Sequence, residues 1–150
     1  MGMIKRLADI NDVSALVELR KKQLTDEGLS PISNIDEQLV EYFTTSINEE
    51  SFISWVMEGE GEIIATSGLC FYSLPPSYSN PTGKVAYITN MYTKDEYRKR
   101  GIATALLSML IDEARKREYK IIRLHTSEYG KSIYRKAGFS DSDGYMALKL

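Results

Sequence analysis

The sequence predicts a single α/β domain spanning residues 1–150. At 150 residues and 43% hydrophobic content, the chain can form one well-buried core and is too short for two ordinary domains. Segments with strand composition alternate with segments of helical spacing, and we expect a mixed sheet of about six or seven strands flanked by about four helices. Within residues 85–126 a strand, a helix and a strand follow one another over short connections. This order favours a parallel or splayed strand pair with a right-handed crossover.

The first part of the chain predicts a strand and two helices. Residues 4–8 form the strand, and polar residues 9–12 offer caps for the helix that follows. The apolar side of this helix consists of Val13, Leu16, Val17, Leu19 and Leu24. Its solvent-facing side consists of Arg20, Lys21 and Lys22. Residues 25–28 end it, and a second helix is expected from residue 35 or 36 to residue 47.

A hairpin and a long loop come next. Residues 51–57 and 62–72 are expected to be antiparallel strands, joined at residues 58–61 by a turn with two glycines able to take positive φ. Residues 73–84 hold three of the four prolines, which predicts a loop.

The second half begins with a strand over residues 85–93, which contain no Gly or Pro. From residue 102 onward the apolar residues recur every three or four positions, which predicts an amphipathic helix. They are Ala103, Leu106, Leu107, Leu110, Ile111 and Ala114. Residues 121–126 predict the next strand.

Two elements close the chain. A short helix is expected over residues 131–137, stopped by Gly138. Residues 145–150 are expected to form a last strand.

The turn before the third helix carries the strongest chemical signal. It holds three consecutive cations, Arg98, Lys99 and Arg100, followed by Gly101. Cations at the positive end of a helix dipole are unfavourable unless an anion shares the site. Free backbone N–H groups and a small residue at a helix start are what a phosphate requires. The pattern favours a phosphate site, and a solvated basic loop is the alternative.

Other phosphate motifs are not favoured. The chain has no G-x-G-x-x-G run of a dinucleotide fold. Gly130-Lys131-Ser132 is like the end of a P-loop, but His125 stands where that motif needs its first glycine. Neither NAD nor ATP is expected.

Composition excludes further classes. A net charge of -2 and a pI near 5.5 argue against a general nucleic-acid binder. No apolar run is long enough to span a bilayer and no secretory signal is visible, so we expect a cytoplasmic protein. With one cysteine, Cys70, and one histidine, His125, we expect no metal site.

Three segments together resemble the GNAT N-acetyltransferase superfamily. Residues 90–104 are similar to its cofactor motif, [Q/R]-x-x-G-x-[G/A] after a strand, and residues 4–8 with Asp12 are similar to its opening strand and helix. Residues 132–139 resemble its late Y-x-x-x-G-F signature. The resemblance implies a GNAT-like fold with a splayed cofactor-binding strand pair, acetyl-CoA as the cosubstrate, and a homodimer.

Carried over by position, the resemblance also assigns roles. It places the pyrophosphate on backbone amides from Lys99 to Ala103, and pantetheine against the backbone of Met91 and Thr93. The implied cofactor-binding residues are Met91, Tyr92, Thr93, Arg98, Lys99, Arg100, Gly101, Ile102, Ala103, Thr104 and Ser127. The Met91 amide would polarise the thioester carbonyl. Tyr134 matches the tyrosine that donates a proton to the CoA thiolate.

Two positions depart from the family pattern. Lys99 stands where many relatives have glycine, which is tolerable if its φ is not positive. Ser127 replaces a common asparagine near the cofactor.

The catalytic base is less clearly indicated. An amine with a pKa near 10.4 must lose a proton before it can attack a thioester, so a base or a water chain is required. Glu128 is our first candidate, and His125, Glu27 and ordered water are alternatives.

The sequence therefore predicts direct acetyl transfer from acetyl-CoA to an amine in a ternary complex, without a metal. A CoA- or acyl-CoA-binding regulatory module is the alternative, and a peptide-binding module is a third. The acceptor could be a small metabolite, a polyamine, an antibiotic or a protein N-terminus. Neither nucleic acid nor membrane is an expected partner.

Overall fold

The computed structural model describes residues 2–128, 130–142 and 144–150. The strands are β1 (Ile4–Leu7), β2 (Phe52–Ile53), β3 (Trp55–Gly59), β4 (Glu62–Ser73), β5 (Lys84–Thr93) and β6 (Ile122–Leu124). The helices are α1 (Val13–Asp26), α2 (Asp36–Asn48), α3 (Ile102–Lys116) and α4 (Lys131–Lys136). Short 3-10 turns cover Ile10–Asp12 and Asp95–Tyr97. The predicted α/β architecture and the predicted helices are confirmed.

The six strands form one mixed sheet in the order β1-β3-β4-β5-β6, with β2 paired to β4. All neighbouring pairs are antiparallel except β5 and β6, which run parallel and are connected through α3. Both the antiparallel hairpin and the parallel pair follow the sequence prediction. The parallel pair brings the start of α3 to the end of β5, where the basic turn lies.

Apolar packing differs between the two faces of the sheet. On one face α1 and α2 pack around Leu16, Phe43 and Phe52, each of which is at most 1% exposed. On the other face α3 packs its Leu107 and Leu110 on β4 and β5. A capping box fixes the 3-10 turn that leads into α1: the Asp9 side chain accepts from Asn11 N, and the Asp12 side chain accepts from Asp9 N.

The β3–β4 hairpin differs from its prediction in one detail. Glu60 (φ 53°) and Gly61 (φ 82°) take the positive φ values, whereas Gly59 pairs with Glu62 as the last residue of β3. Positive φ at both central positions is the geometry of a type I′ two-residue hairpin turn. The turn therefore uses a glutamate and one glycine instead of two glycines.

A β-bulge interrupts β5 close to its end. Tyr92 pairs with Thr66 and Thr89 pairs with Gly68, so β5 contains one more residue than β4 over this stretch. Asn90 takes φ 57°, a conformation that Asn tolerates better than most residues, and its carbonyl accepts a 2.8 Å hydrogen bond from Thr66 Oγ1. The bulge redirects the last residues of β5.

The bulge also separates β5 from β6. Their pairing covers only Ala86–Ile88 of β5, while β5 continues to Thr93. The predicted strand over residues 121–126 is correspondingly shorter, ending at Leu124. The result is the splayed strand pair that the family resemblance implies.

The predicted last strand over residues 145–150 is wrong. This segment has no strand structure, and most of its apolar side chains are exposed: Tyr145 66%, Met146 99%, Leu148 84% and Leu150 115%. Composition can indicate strand propensity, but a strand also needs a neighbouring edge to pair with. Within one copy of the chain this segment has not paired with such an edge.

Candidate active site

The turn between β5 and α3 has an unusual backbone. Lys99 takes φ 62° and Gly101 takes φ 78° immediately before α3 begins at Ile102. Lys99 is predicted to be tolerable here only if its φ is not positive, and the structure does not meet that condition. Left-handed backbone costs a non-glycine residue about 1–2 kcal/mol, which explains why a glycine suits this position. A Cβ added at Gly101 would have no neighbouring atom within 4 Å. Glycine is therefore favoured here by the backbone angle and not by a lack of space.

The amino terminus of α3 is not capped by a side chain. Its N-cap, Gly101, has no side chain to offer, and its first turn contains no acidic residue. The first amides of a helix have no intrahelical acceptors, and the helix dipole adds positive potential there. The amides of Ile102, Ala103 and Thr104 are therefore suited to an anion such as a pyrophosphate.

Arg98 fastens the turn to the body of the protein. Its Nε donates to the Thr93 carbonyl at 2.9 Å, and its Nη2 lies 3.0 Å from Asp95 and 3.5 Å from Asp26 at the end of α1. The guanidinium also lies over the Tyr92 ring, 5.4 Å from its centroid. These contacts tie the turn to both β5 and α1.

The other two cations differ from each other. Arg100 donates to the Glu96 carbonyl at 3.1 Å and lies over the Tyr97 ring. Lys99 is exposed, and it forms no ion pair with any residue in the described part of the chain. Thr104, in the first turn of α3, is also exposed. Lys99 and Thr104 are thus both accessible to a ligand at the turn.

Tyr92 has a structural side chain. It is 8% exposed and packs in the core beside α1, where its hydroxyl donates to Asp26 Oδ2 at 3.0 Å. Burial and the Asp26 carboxylate raise the pKa of Tyr92 to about 12. Only its backbone remains available along the splay, beside that of Met91 and Thr93.

Tyr134 packs on the α3 face of the sheet, against the same apolar cluster as Met91. Its ring meets Phe139 edge-on, with the two centroids 5.7 Å apart. Gly130 lies under the ring, and a Cβ built there would be 2.9 Å from it. Burial, followed by the charge of Glu27, raises the pKa of Tyr134 to about 12. The hydroxyl is therefore a proton donor at neutral pH.

The chain matches the acetyltransferase (GNAT) family over residues 14–139. It belongs to the GNAT acetyltransferase family. A predicted acetyltransferase from Clostridium acetobutylicum, solved with acetyl-CoA, is 42% identical and has a TM-score of 0.95, covering 99% of this chain and 97% of that one. A GCN5-related N-acetyltransferase from Ralstonia eutropha JMP134 is 27% identical, with a TM-score of 0.92 and coverage of 99% of both chains.

More distant structures share the fold alone. Glucosamine-6-phosphate N-acetyltransferase from Arabidopsis thaliana is 19% identical, with a TM-score of 0.78, covering 100% of this chain and 99% of that one. No match was found among curated proteins.

In the described part of this GNAT chain, no three His, Cys, Asp or Glu side chains are grouped to hold a metal ion, and no helix is long and apolar enough to cross a membrane.

The three candidate bases of this GNAT protein lie in different environments. The side chain of Glu128 is 87% exposed and pairs with Lys131 at 3.2 Å. His125 is exposed, with its ring 5.9 Å from that of Tyr87. Glu27, just after α1, is near enough for its charge to raise the pKa of Tyr134. Only Glu27 shows an electrostatic link to the predicted acid.

Ser127 lies in the connection between β6 and α4. Its carbonyl accepts from Thr126 Oγ1 at 2.8 Å and from Gly130 N at 3.1 Å, and the residue is exposed. These bonds shape the loop that leads to Tyr134. The hydroxyl of Ser127 is not used in them.

A large open groove of about 1220 Å³ lies along β6. It runs from α3 past β6 to the loop before α4. Among its lining residues are Cys70, Tyr72, Tyr87, His125, Tyr134 and Tyr145. The predicted acid therefore borders a cavity that a substrate can enter.

One residue of α1 lies differently from its prediction. Arg20 was expected to face solvent, but it is half-buried, and its Nη1 donates to Thr89 Oγ1 of β5 at 3.4 Å and to Gln23 Oε1 at 3.2 Å. The helical spacing could have predicted this position, because Arg20 follows the buried Leu16 by four residues and so lies on the same face of α1.

Proposed function

We propose that the protein transfers the acetyl group of acetyl-CoA directly to an amine, in a ternary complex. The observation that carries the proposal is the uncapped start of α3, which follows a left-handed turn after β5. Tyr134 packs against the same apolar cluster as Met91 of β5. An anion site, an open strand backbone and a proton donor are what a phosphate-bearing thioester donor requires.

The chain would hold acetyl-CoA mainly through its backbone. The amides from Lys99 to Ala103 suit the pyrophosphate, and the backbone of Met91 and Thr93 along the splay suits the pantetheine arm. Acetyl-CoA supplies the activated acetyl thioester. The Met91 amide would stabilise negative charge on the carbonyl oxygen, and the Tyr134 hydroxyl would give its proton to the sulfur.

The acceptor amine must also lose a proton. Of the three acid–base candidates, Glu27 is supported by its electrostatic effect on Tyr134, while Glu128 is exposed and paired with Lys131. Glu27→Gln, Glu128→Gln and His125→Asn, compared by the pH dependence of kcat/KM for the amine, distinguish them. Loss of the acidic limb of the profile in one variant alone identifies the base.

Two measurements test the transferase proposal. Thermal shifts with acetyl-CoA, CoA and NAD test the turn, and we expect stabilisation by both CoA compounds and none by NAD. CoA release with an amine panel, with the product mass measured, tests the transfer. Binding of acetyl-CoA without any acetylated product would support a regulatory CoA-binding module instead.

We also propose that the protein is a homodimer. The support is the exposed apolar segment 145–150, which begins next to β6 at the end of the sheet order. The Tyr145 hydroxyl accepts a 2.9 Å hydrogen bond from Arg123 of that strand. A second copy would cover the apolar side chains that one copy leaves exposed.

A further inference from the structure

Arg20 occupies a specific place between the helices and the sheet. It projects from α1 onto β5, where its Nη1 binds Thr89 Oγ1. Thr89 is the residue before the bulge at Asn90, and Met91 follows that bulge. At about 3.3 Å per strand residue, Thr89 and Met91 are separated by about 7 Å or less. The guanidinium is therefore within reach of a small molecule whose amine faces the Met91 amide.

Further neutral polar groups lie within electrostatic range of this guanidinium. The Tyr42 hydroxyl of α2 lies 3.2 Å from Cys70 Sγ of β4, and Cys70 pairs across the sheet with Tyr87 of β5. The positive charge of Arg20 acts to lower the pKa of all three groups. Burial acts in the opposite direction and is the larger effect, so each pKa is raised overall. Two of them, Cys70 and Tyr87, also line the open groove. Arg20 thus contributes positive charge to a wall made of hydroxyl, thiol and aromatic groups.

Arg20 lacks a counter-ion within the described part of the chain. Both of its hydrogen bonds use Nη1 and go to neutral oxygens. No carboxylate oxygen in the described part of the chain lies within 4.0 Å of the Arg20 guanidinium nitrogens. By contrast, its neighbour Lys21 pairs with Glu18 at 3.1 Å and Asp36 at 3.0 Å. Arginine cannot lose its charge, and a charge taken partly out of water is stabilised by a partner of opposite charge. The Nε and Nη2 edge, which binds carboxylate and phosphate side-on, remains available.

We infer that Arg20 binds an acidic group of the acceptor, so that the amine acetylated by this protein also carries a carboxylate or a phosphate. The inference rests on the proposed transferase function and specifies its substrate class. The short distance along β5 requires the acid and the amine to be separated by a few bonds, as in an α-amino acid or an aminoalkyl phosphate.

Matched amines test the assignment. An α-amino acid is compared with its carboxamide, and O-phosphoethanolamine with ethanolamine, in the wild type and in Arg20→Gln, Arg20→Lys and the control Lys21→Gln. We expect the wild type to prefer the acidic member of at least one pair. Which pair shows the preference distinguishes carboxylate from phosphate.

The variants should separate recognition from folding. Loss of a hydrogen-bonded partner from a partly buried charge pair predicts a fall of about 30-fold or more in kcat/KM for the acidic amine in Arg20→Gln. The fall should appear in KM for the acidic amine, with the acetyl-CoA KM and the rates with neutral amines unchanged. Arg20→Lys should recover part of the loss, and Lys21→Gln should match the wild type.

Other outcomes overturn the assignment while leaving the transferase proposal intact. These are a wild type that acetylates neutral amines as well as acidic ones, or an Arg20→Gln variant that loses both activities equally. If no amine in the panel is acetylated, calorimetric titration of the amines into the CoA-bound protein decides. Acidic amines that bind the wild type and not Arg20→Gln support the assignment, and absence of such binding refutes it. Failure to bind acetyl-CoA refutes the transferase proposal instead.

Discussion

Tyr134 is kept protonated by its surroundings, and this has a measurable consequence for the reaction. With a pKa raised from 10.0 to about 12, its hydroxyl stays mostly protonated at pH values where an ordinary tyrosine has lost its proton. We expect Tyr134→Phe to lower kcat by about 100-fold, near the lower end of general-acid effects, because a thiolate already leaves fairly well. Acetyl-CoA affinity should change little, since the ring and its packing remain.

Tyr119→Phe is the matched control, because Tyr119 packs against the same cluster as Tyr134 but lies beside Phe71. Its kcat should equal that of the wild type. Because the pKa of Tyr134 is raised, the acid stays protonated as the pH passes 10.0, the ordinary tyrosine value. We therefore expect the wild-type kcat to fall only as the pH approaches about 12. Equal turnover in Tyr134→Phe and wild type would remove this residue from the mechanism.

Single residues also show what the sequence leaves undetermined. The match of Tyr134 and the basic turn to family motifs predicts which segments meet, and the structure packs Tyr134 against the same apolar cluster as Met91 of β5. Arg20 is a different case, because its contact to Thr89 joins residues that are distant in sequence and forms only once α1 has packed on β5. The positive φ of Lys99 is a backbone property that the pattern of side chains does not reveal.

At the scale of elements, the turn into α3 depends on glycine geometry. Gly101→Ala places a Cβ at φ 78°, and we expect a loss of about 1 kcal/mol in the free energy of unfolding together with weaker acetyl-CoA binding. Gly61→Ala is the control, because Gly61 has φ 82° and similarly open space but lies in the β3–β4 hairpin. It should lose comparable stability, measured by urea unfolding, and keep acetyl-CoA affinity, measured by calorimetry. Equal effects of both variants on affinity would contradict a role for the turn in binding.

The bulge in β5 is the second local feature with a testable role. Thr66→Val removes the hydroxyl that binds the Asn90 carbonyl, and an unpaired buried carbonyl costs about 1–3 kcal/mol. Because the bulge orients Met91, we expect kcat/KM for acetyl-CoA to fall as well. Ser54→Ala removes a similar buried hydroxyl bond, to the Ser67 carbonyl of β4, and should lower stability without lowering kcat/KM. If Thr66→Val loses stability alone, the bulge does not position the donor.

Most elements of the fold could be predicted from local patterns, because each helix has its own apolar spacing and each paired strand its own composition. The bulge could not, since one extra residue in β5 is defined only by its register against β4. The last segment shows that a strand-like composition can also predict a strand that does not form. Residues 145–150 have the composition of a strand, but strand formation depends on a partner edge that the pattern itself does not describe.

At the scale of the whole molecule, that unpaired segment predicts the assembly. Each buried apolar side chain of this size contributes about 1.5–3 kcal/mol, so covering Met146, Leu148 and Leu150 would strongly favour association of two copies. We expect the wild type to elute as a dimer in size-exclusion chromatography with light scattering. The double variant Met146→Glu/Leu148→Glu should be monomeric and still bind acetyl-CoA, because the turn lies elsewhere. Ile32→Glu, at an apolar residue 92% exposed in the α1–α2 loop, should remain dimeric. A monomeric wild type, or dissociation by Ile32→Glu and not by the double variant, would contradict this assembly.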